Sequence, residues 1–593
     1  MMDAALSTSG RASAPDLAPD LAPTPAMTPA PATARAAPAS PGLLTLAESV
    51  AAHARTQPHK LAVRDSRRTL TYAQWDERAS RLAQALLGLG LVRGDRVALL
   101  AYNAIEWLEI YAAIARAGLV AVPLNFRLAG PEIAYIVEHA EARALIVQDD
   151  LRPAIDALRG QLPVEPGRCV LFGGTAHGVH GVQAAPAGWR SYEALIAAAP
   201  AAPPEVDVGP QDLFALMYTS GTTGRPKGAM RHHEGNALIA LATALEFGLG
   251  ADDNGLLVMP LCHANSLYFA VTFAMLGATI VVHDRARFDP AELLGLLARE
   301  RITFTSLVPT HYVMMLELPA EERARHDLSR VGKLLVSSAP ARKETKLAIL
   351  ELFPNGRLFE LYGSTEAGWV TVLRPHEQLD HLGSVGREWA GSGAIRLLDA
   401  EGREVPDGEV GELFSRTAYV FRGYWRNPEK TLECFRGAWC SVGDMAYRDA
   451  QGFIHLVDRK SNMIISGGEN IYPSEVEAVL AAHPAVQDVA VVGMPDPTWG
   501  EKVLAAVVAR PGHAGVSGDG LRAGGGAPMP AELQAGLQAE LEAWCRERIA
   551  GYKRPRAYVF LDSEQMPRTA TGKLQHRALR DRLVQAQRDE AAR

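Results

Sequence analysis

The sequence predicts an α/β fold: a large N-terminal domain of α/β subdomains that includes a small β subdomain, and after it a smaller α/β C-terminal domain. Three observations predict it. From Leu70 onward, short apolar runs of strand length alternate with longer stretches at helical spacing, which is the signature of βαβ units. Between Gly391 and Ile454 the pattern changes to short strands broken by turns such as Asp399-Ala400-Glu401-Gly402 and Pro406-Asp407-Gly408. Finally, 593 residues exceed what one hydrophobic core supports, while 48% hydrophobic and 21% charged residues is ordinary globular usage.

The elements follow in order. Residues 1–42 are dominated by Ala and Pro without apolar periodicity, which predicts a disordered tail. The start lacks a basic region followed by an apolar segment, and Asp3, Asp16 and Asp20 argue against a transit peptide. Ala73–Leu89 reads as a helix, Arg96–Ala101 as a strand, Ala104–Ala117 as a second amphipathic helix and Leu119–Val122 as the next strand. Residues 163–207, with Gly173-Gly174 and several prolines, read as a loose connection. Leu213–Met217 is a buried strand, and further strands are predicted near Gly277–His283 and Thr303–Val308. After Asp458 a compact α/β unit begins, with a solvated Gly-rich insertion, Gly512–Met529, between the strand Val503–Ala509 and the helix Ala531–Ile549.

Composition excludes several classes. A net charge of -7 lacks the basic excess of a general nucleic-acid binder. The five cysteines form no C-x-x-C pair and are odd in number, which fits reduced thiols and a cytoplasmic location. No apolar run approaches the roughly 20 residues of a membrane span. His232, His233 and His311 lack the spacing of a zinc site. His232-His233 is expected to cap the helix that follows it.

The most informative segment is Tyr218-Thr219-Ser220-Gly221-Thr222-Thr223-Gly224-Arg225-Pro226-Lys227-Gly228, directly after the buried strand. Its glycines let backbone N–H groups point inward, its hydroxyls add donors and Lys227 adds a mobile charge, which together suit a phosphate cradle. It is not the standard P-loop, because Lys227 precedes Gly228 and Pro226 stands where that pattern needs its second glycine.

This segment resembles the signature loop of the adenylate-forming (AMP-binding) superfamily, which holds acyl-CoA synthetases, nonribosomal-peptide adenylation domains and firefly-type luciferases. Four further motifs occur in the family's order: Tyr362-Gly363-Ser364-Thr365-Glu366; Trp439 with Gly443-Asp444; Asp458-Arg459-Lys460 followed by Ile464 to Pro473; and Pro567 to Lys573. The resemblance covers about residues 43–580. It implies an adenylation domain over 43–457, a hinge at 458–461 and a mobile C-terminal domain over 462–593.

The resemblance also implies roles. Thr219, Ser220, Gly221, Thr222, Thr223, Gly224 and Lys227 would hold the β- and γ-phosphates of ATP. Thr365 would meet the α-phosphate and Glu366 would hold Mg²⁺, a hard cation suited to carboxylate and phosphate oxygens. Tyr362, Gly363 and Ser364, with Ser338-Ala339-Pro340, would flank adenine. Asp444 and Arg459 would bind the ribose, and Lys573 would bridge the acid carboxylate and the α-phosphate. Rotation about a hinge containing Ser461 would replace Lys573 by Gly467-Gly468, opening a channel for the thiol of CoA. Lys553 would approach a CoA phosphate.

The acyl segment would run through His263, Ala264 and Asn265, with Pro309 on another wall. His263 stands where amino-acid-activating relatives carry an aspartate, so the pocket fits an acid without an amino group. Fatty, aryl and alicyclic acids stay open. The resemblance implies an acyl-CoA synthetase acting on a small-molecule carboxylic acid, ATP and CoA, and leaves peripheral membrane contact open. The alternatives are an enzyme that loads a carrier-protein phosphopantetheine, or a catalytically silent nucleotide-binding scaffold.

Overall fold

The computed structural model describes residues 45–173, 185–219, 226–337, 341–466, 469–510, 529–569 and 572–591. Among these residues, two large sheets form the N-terminal body. One has nine strands, with a parallel centre of Leu61–Arg64, Thr279–Val282, Asn254–Leu257, Phe304–Leu307, Lys333–Ser337 and Arg357–Ser364, and antiparallel strands at both ends. The other has seven. Its parallel strands include Ala142–Gln148, Arg96–Leu100, Val120–Leu124 and Leu213–Thr219, and it ends in the antiparallel strand Lys227–His232.

The main core lies between these sheets. Helices Leu46–Thr56, Tyr72–Gly88, Ile105–Ala117, His233–Phe247 and Ala264–Leu276 contribute to it, with large side chains such as Trp75, Trp107, Tyr111 and Phe269 wholly buried. Capping fixes the first two helices: Thr45 and Thr71 each accept from the third helical N–H while Glu48 and Gln74 reach back.

Helix Ile105–Ala117 differs from the amphipathic reading, because it is buried on every side. The carboxylates that made it look half-exposed are paired inside. Glu109 meets Arg68 at 2.9 Å and Arg78 at 2.5 Å, and Glu106 meets Arg67 at 2.7 Å. Burial works against the Glu109 carboxylate, but the two guanidinium groups outweigh it and hold its pKa at about 2.

The connection over 163–207 is more ordered than its composition suggests. Cys169–Phe172 and Arg190–Ser191 extend the seven-stranded sheet in parallel, and helix Tyr192–Ala198 packs beside them. Tyr192 reaches inward to donate to Glu109 at 2.8 Å, a tertiary tie with no local signature.

A four-stranded antiparallel sheet, Arg396–Leu398, Gly411–Phe414, Asp444–Arg448 and Ile454–Arg459, forms the small β element predicted from the turns. Beyond it a further sheet is built on the long hairpin Val486–Asp496 and Gly500–Ala509, with Ala557–Phe560 parallel to the latter. Apolar clusters cover both faces of this sheet. Helix Ala531–Arg548 follows the Gly-rich insertion, most of which lies outside the described residues. The five cysteines are free thiols. Among the described residues no helix is long and apolar enough to cross a membrane.

Candidate active site

Adjacent strands with tight turns place the predicted nucleotide residues. Strand Arg357–Ser364 pairs antiparallel with Gly368–Leu373, so Thr365 and Glu366 occupy the hairpin turn between them, not the start of a helix. Gly363 is required there, because a Cβ would lie 2.3 Å from the Gly368 carbonyl oxygen. Thr219 ends its strand opposite Lys227 and donates from Oγ1 to Glu366 Oε1 at 3.2 Å.

Tyr424, absent from the sequence-derived set, donates to the same oxygen at 2.7 Å, and its ring carries Lys227 Nζ at 4.3 Å from the centroid. One tyrosine thus links the phosphate-loop lysine to the predicted metal ligand. Among the described residues, hydrogen bonds reach only Oε1 of Glu366, and no set of three or more His, Cys, Asp or Glu is grouped for a metal. That arrangement fits Mg²⁺, which commonly takes one or two carboxylates and completes its shell with substrate phosphates and water.

A second cluster joins the two β regions. Asp444 opens its strand directly opposite Arg459 and accepts from Arg459 Nε at 3.1 Å and from the Tyr362 hydroxyl at 2.7 Å. Burial, followed by the nearby Asp444 charge, pushes the Tyr362 phenol well above its ordinary range, so it stays a donor.

Lys573, from the C-terminal sequence, lies near enough to this cluster for the Arg459, Asp444 and Asp458 charges to act on it. Thr569 N–H donates to Lys573 O at 2.7 Å, Lys573 N–H donates to Thr569 Oγ1 at 3.1 Å, and Gly572 takes φ of 79° in the turn. The lysine surface is open to solvent, yet it sits in a crowded cleft. Loss of water and then the Arg459 charge lower its pKa, with Asp444 and Asp458 opposing them.

Gly572 also borders a cavity of about 210 Å³ whose walls include Tyr102, Phe126, Pro260, Phe288 and His311. Arg127 and Arg285, both exposed, line it too. His311 stacks on Phe288 at 4.1 Å and its pKa is pushed down to about 4, chiefly by burial.

On the predicted acyl side, His263 precedes helix Ala264–Leu276 at its N-cap without making a side-chain cap bond. Burial, then Arg127, holds its pKa at about 4, so the imidazole is neutral at pH 7. Asn265 in the first turn bridges two strands, donating to Ser337 Oγ at 3.2 Å and accepting from Ser306 at 3.3 Å. Pro309 starts helix Pro309–Leu316.

The remaining predicted residues divide into two groups. Ser220, Gly221, Thr222, Thr223, Gly224, Ser338, Ala339, Pro340, Gly467 and Gly468 lie outside the described residues. Lys553 and Ser461 are described: Lys553 pairs with Glu475 at 2.5 Å, and Ser461 lies in an exposed turn. His232 takes the N-cap position as expected but makes no side-chain cap hydrogen bond.

Known proteins match this arrangement. The AMP-binding enzyme family model matches residues 50–425, and the AMP-binding enzyme C-terminal domain model matches residues 475–573. The chain is 37% identical over 524 residues to a feruloyl-CoA synthase from an Amycolatopsis species, covering 88% of this chain and 95% of that one. It is 36% identical over 535 residues to an indoleacetate–CoA ligase from Aromatoleum aromaticum, covering 90% and 96%. A crystal structure of an anthranilate CoA ligase in complex with anthranoyl-AMP superposes with a TM-score of 0.78 at 28% identity, covering 92% and 98%. With family models spanning most of its length, this chain is an acid–thiol ligase and belongs to the AMP-binding enzyme family.

Proposed function

We propose that this chain activates an aryl carboxylic acid with ATP, releasing pyrophosphate, and then transfers the acyl group from the acyl adenylate to the thiol of CoA, releasing AMP. The observation that carries the reading is that the turn holding Lys573 borders the cavity at Gly572, within electrostatic reach of Asp444 and Arg459. A carboxylate is a poor partner for a triphosphate because both are anionic, so the site must supply positive charge at the reacting atoms. Lys573 is the group placed to do so, and Asp444 with Arg459 would fix the ribose next to it. Lys227 and Thr219 would hold the departing phosphates. Mg²⁺ held at Glu366 would neutralise phosphate charge.

Transfer to CoA then needs Lys573 withdrawn. Residues 458–461 are the hinge in this reading, with Ser461 in its exposed turn. The C-terminal domain that follows would turn about it, bringing the segment of Gly467-Gly468 toward the thiol. Lys553 would exchange Glu475 for a CoA phosphate. The pool of CoA and the free thiols fit a cytoplasmic setting.

One observation favours an aryl acid over a fatty one. The feruloyl, indoleacetate and anthranilate ligases matched above all take aromatic acids in their names. The test is pyrophosphate release across matched aryl, alicyclic and fatty acids, with and without CoA. Aryl acids should give the highest kcat/KM and yield a thioester only with CoA; faster turnover of fatty acids would overturn the substrate class.

A further inference from the structure

Strand Lys227–His232 carries one residue the preceding chemistry leaves unused. Arg231 is 1% exposed and joins no ion pair among the described residues. Its Nη1 points at the carbonyl oxygens of Thr365 at 3.3 Å and Glu366 at 3.4 Å, and among the described residues its Nε and Nη2 have no hydrogen-bond partner. The guanidinium lies 5.1 Å from the centroid of the Tyr268 ring, whose hydroxyl donates to the same Thr365 oxygen at 3.5 Å. From another side, Phe421 N–H donates to Glu366 O at 2.7 Å.

A buried guanidinium without a carboxylate is costly unless nearby groups compensate it. Here the compensation comes from peptide carbonyls of the turn that carries the metal ligand. Arg231 and Glu366 also act with opposite sign on the buried Tyr268 phenol, which places both charges in one enclosed region. We propose that Arg231 is a positioning residue: from beneath, it clamps the Thr365–Glu366 turn and so sets where the Glu366 carboxylate meets Mg²⁺ and the phosphates. It touches no substrate. This inference rests on the reading of Glu366 as the metal ligand.

The clamp is separable from packing, because Met retains most of the Arg volume without donors, while Lys restores a buried cation with fewer. The test uses full-length wild type, Arg231→Met and Arg231→Lys, first compared by thermal unfolding. Mn²⁺–ATP binding is then followed by the electron paramagnetic resonance signal of free Mn²⁺. In parallel, the Mg²⁺ requirement of pyrophosphate release and thioester formation from supplied acyl adenylate are measured. Arg231→Met should weaken Mn²⁺–ATP and raise the Mg²⁺ requirement by about tenfold, with Arg231→Lys recovering most of that loss and thioester formation changing less than about threefold. Unchanged Mn²⁺–ATP binding in Arg231→Met overturns the proposal, as does a parallel fall of all activities with the melting temperature. If wild type binds Mn²⁺–ATP but releases no pyrophosphate from any acid, the functional reading fails, while loss of binding in Arg231→Met still supports the clamp.

Discussion

Glu366 and Lys573, the two charged groups assigned to the reacting phosphates, are held in opposite ways. Glu366 is tied by Thr219 and Tyr424, both more than 50 residues away, and nearby Asp444 by the distant Tyr362 and by Arg459 on the adjacent strand. The Lys573 turn is bonded to itself, through Thr569 and through Arg568 donating to Gly572 O at 2.7 Å. A site whose donors are aimed before substrate arrives works best when rigid. A group that must leave between two half-reactions works best when its local shape survives detachment. In the proposed mechanism, fixation would belong to one domain and mobility to the other instead of being compromised in one.

The largest loss is expected at the fixed end. Glu366→Gln keeps the shape but removes the charge, and adenylation measured by pyrophosphate release should fall by about 100-fold or more. Thioester formation from supplied acyl adenylate should change far less; equal losses would erase the division of labour.

A smaller effect sharpens the role of the second cluster. Tyr362→Phe deletes the 2.7 Å bond to Asp444 and leaves Arg459 as its remaining partner in that cluster. The KM for ATP should rise about five- to tenfold, corresponding to roughly 1–1.5 kcal/mol, with the melting temperature nearly unchanged. An effect on acid KM alone would move Tyr362 out of the nucleotide site.

The smallest effect concerns how the C-terminal domain holds its own shape. His576 lies 2.6 Å from Glu477; burial opposes its charge, but the carboxylate outweighs burial and raises the His576 pKa. Its folded pKa exceeds the unfolded value near 6.5, so the added stability is complete below that pH and is lost as pH rises through the folded value. The melting temperature of wild type minus that of His576→Gln should therefore shrink between pH 6 and pH 9, reflecting at most about 1–2 kcal/mol. A pH-independent difference would show that the pair contributes packing alone.

What the sequence reveals follows from how local the constraint is. Gly363, Gly443 and Gly572 mark turns where backbone geometry or close approach forbids side chains, and each neighbours a residue the motifs singled out. Helix Ile105–Ala117 reads as amphipathic because Glu106 and Glu109 look solvent-facing until Arg67, Arg68 and Arg78 are folded against them. Tyr424 and Arg231 were missed for a related reason. In Arg422-Gly423-Tyr424-Trp425 the tyrosine looks like ordinary core, and in Met230-Arg231-His232 the arginine looks like an exposed strand residue. Only the return of the chain from 228 to 424, where Trp425 N–H meets Gly228 O at 2.8 Å, brings them to Glu366. The glycine-rich part of the phosphate loop, so prominent in the sequence, lies outside the described residues.

The central claim is that one lysine on the C-terminal domain serves the first half-reaction and is absent from the second. Single-turnover measurements on folded Lys573→Ala test it directly, by following acyl-adenylate formation from acid and ATP and, separately, thioester formation from supplied acyl adenylate and CoA. The first step should fall by about 100-fold or more with the second nearly intact. Equal loss in both steps, or an unimpaired first step, would contradict it.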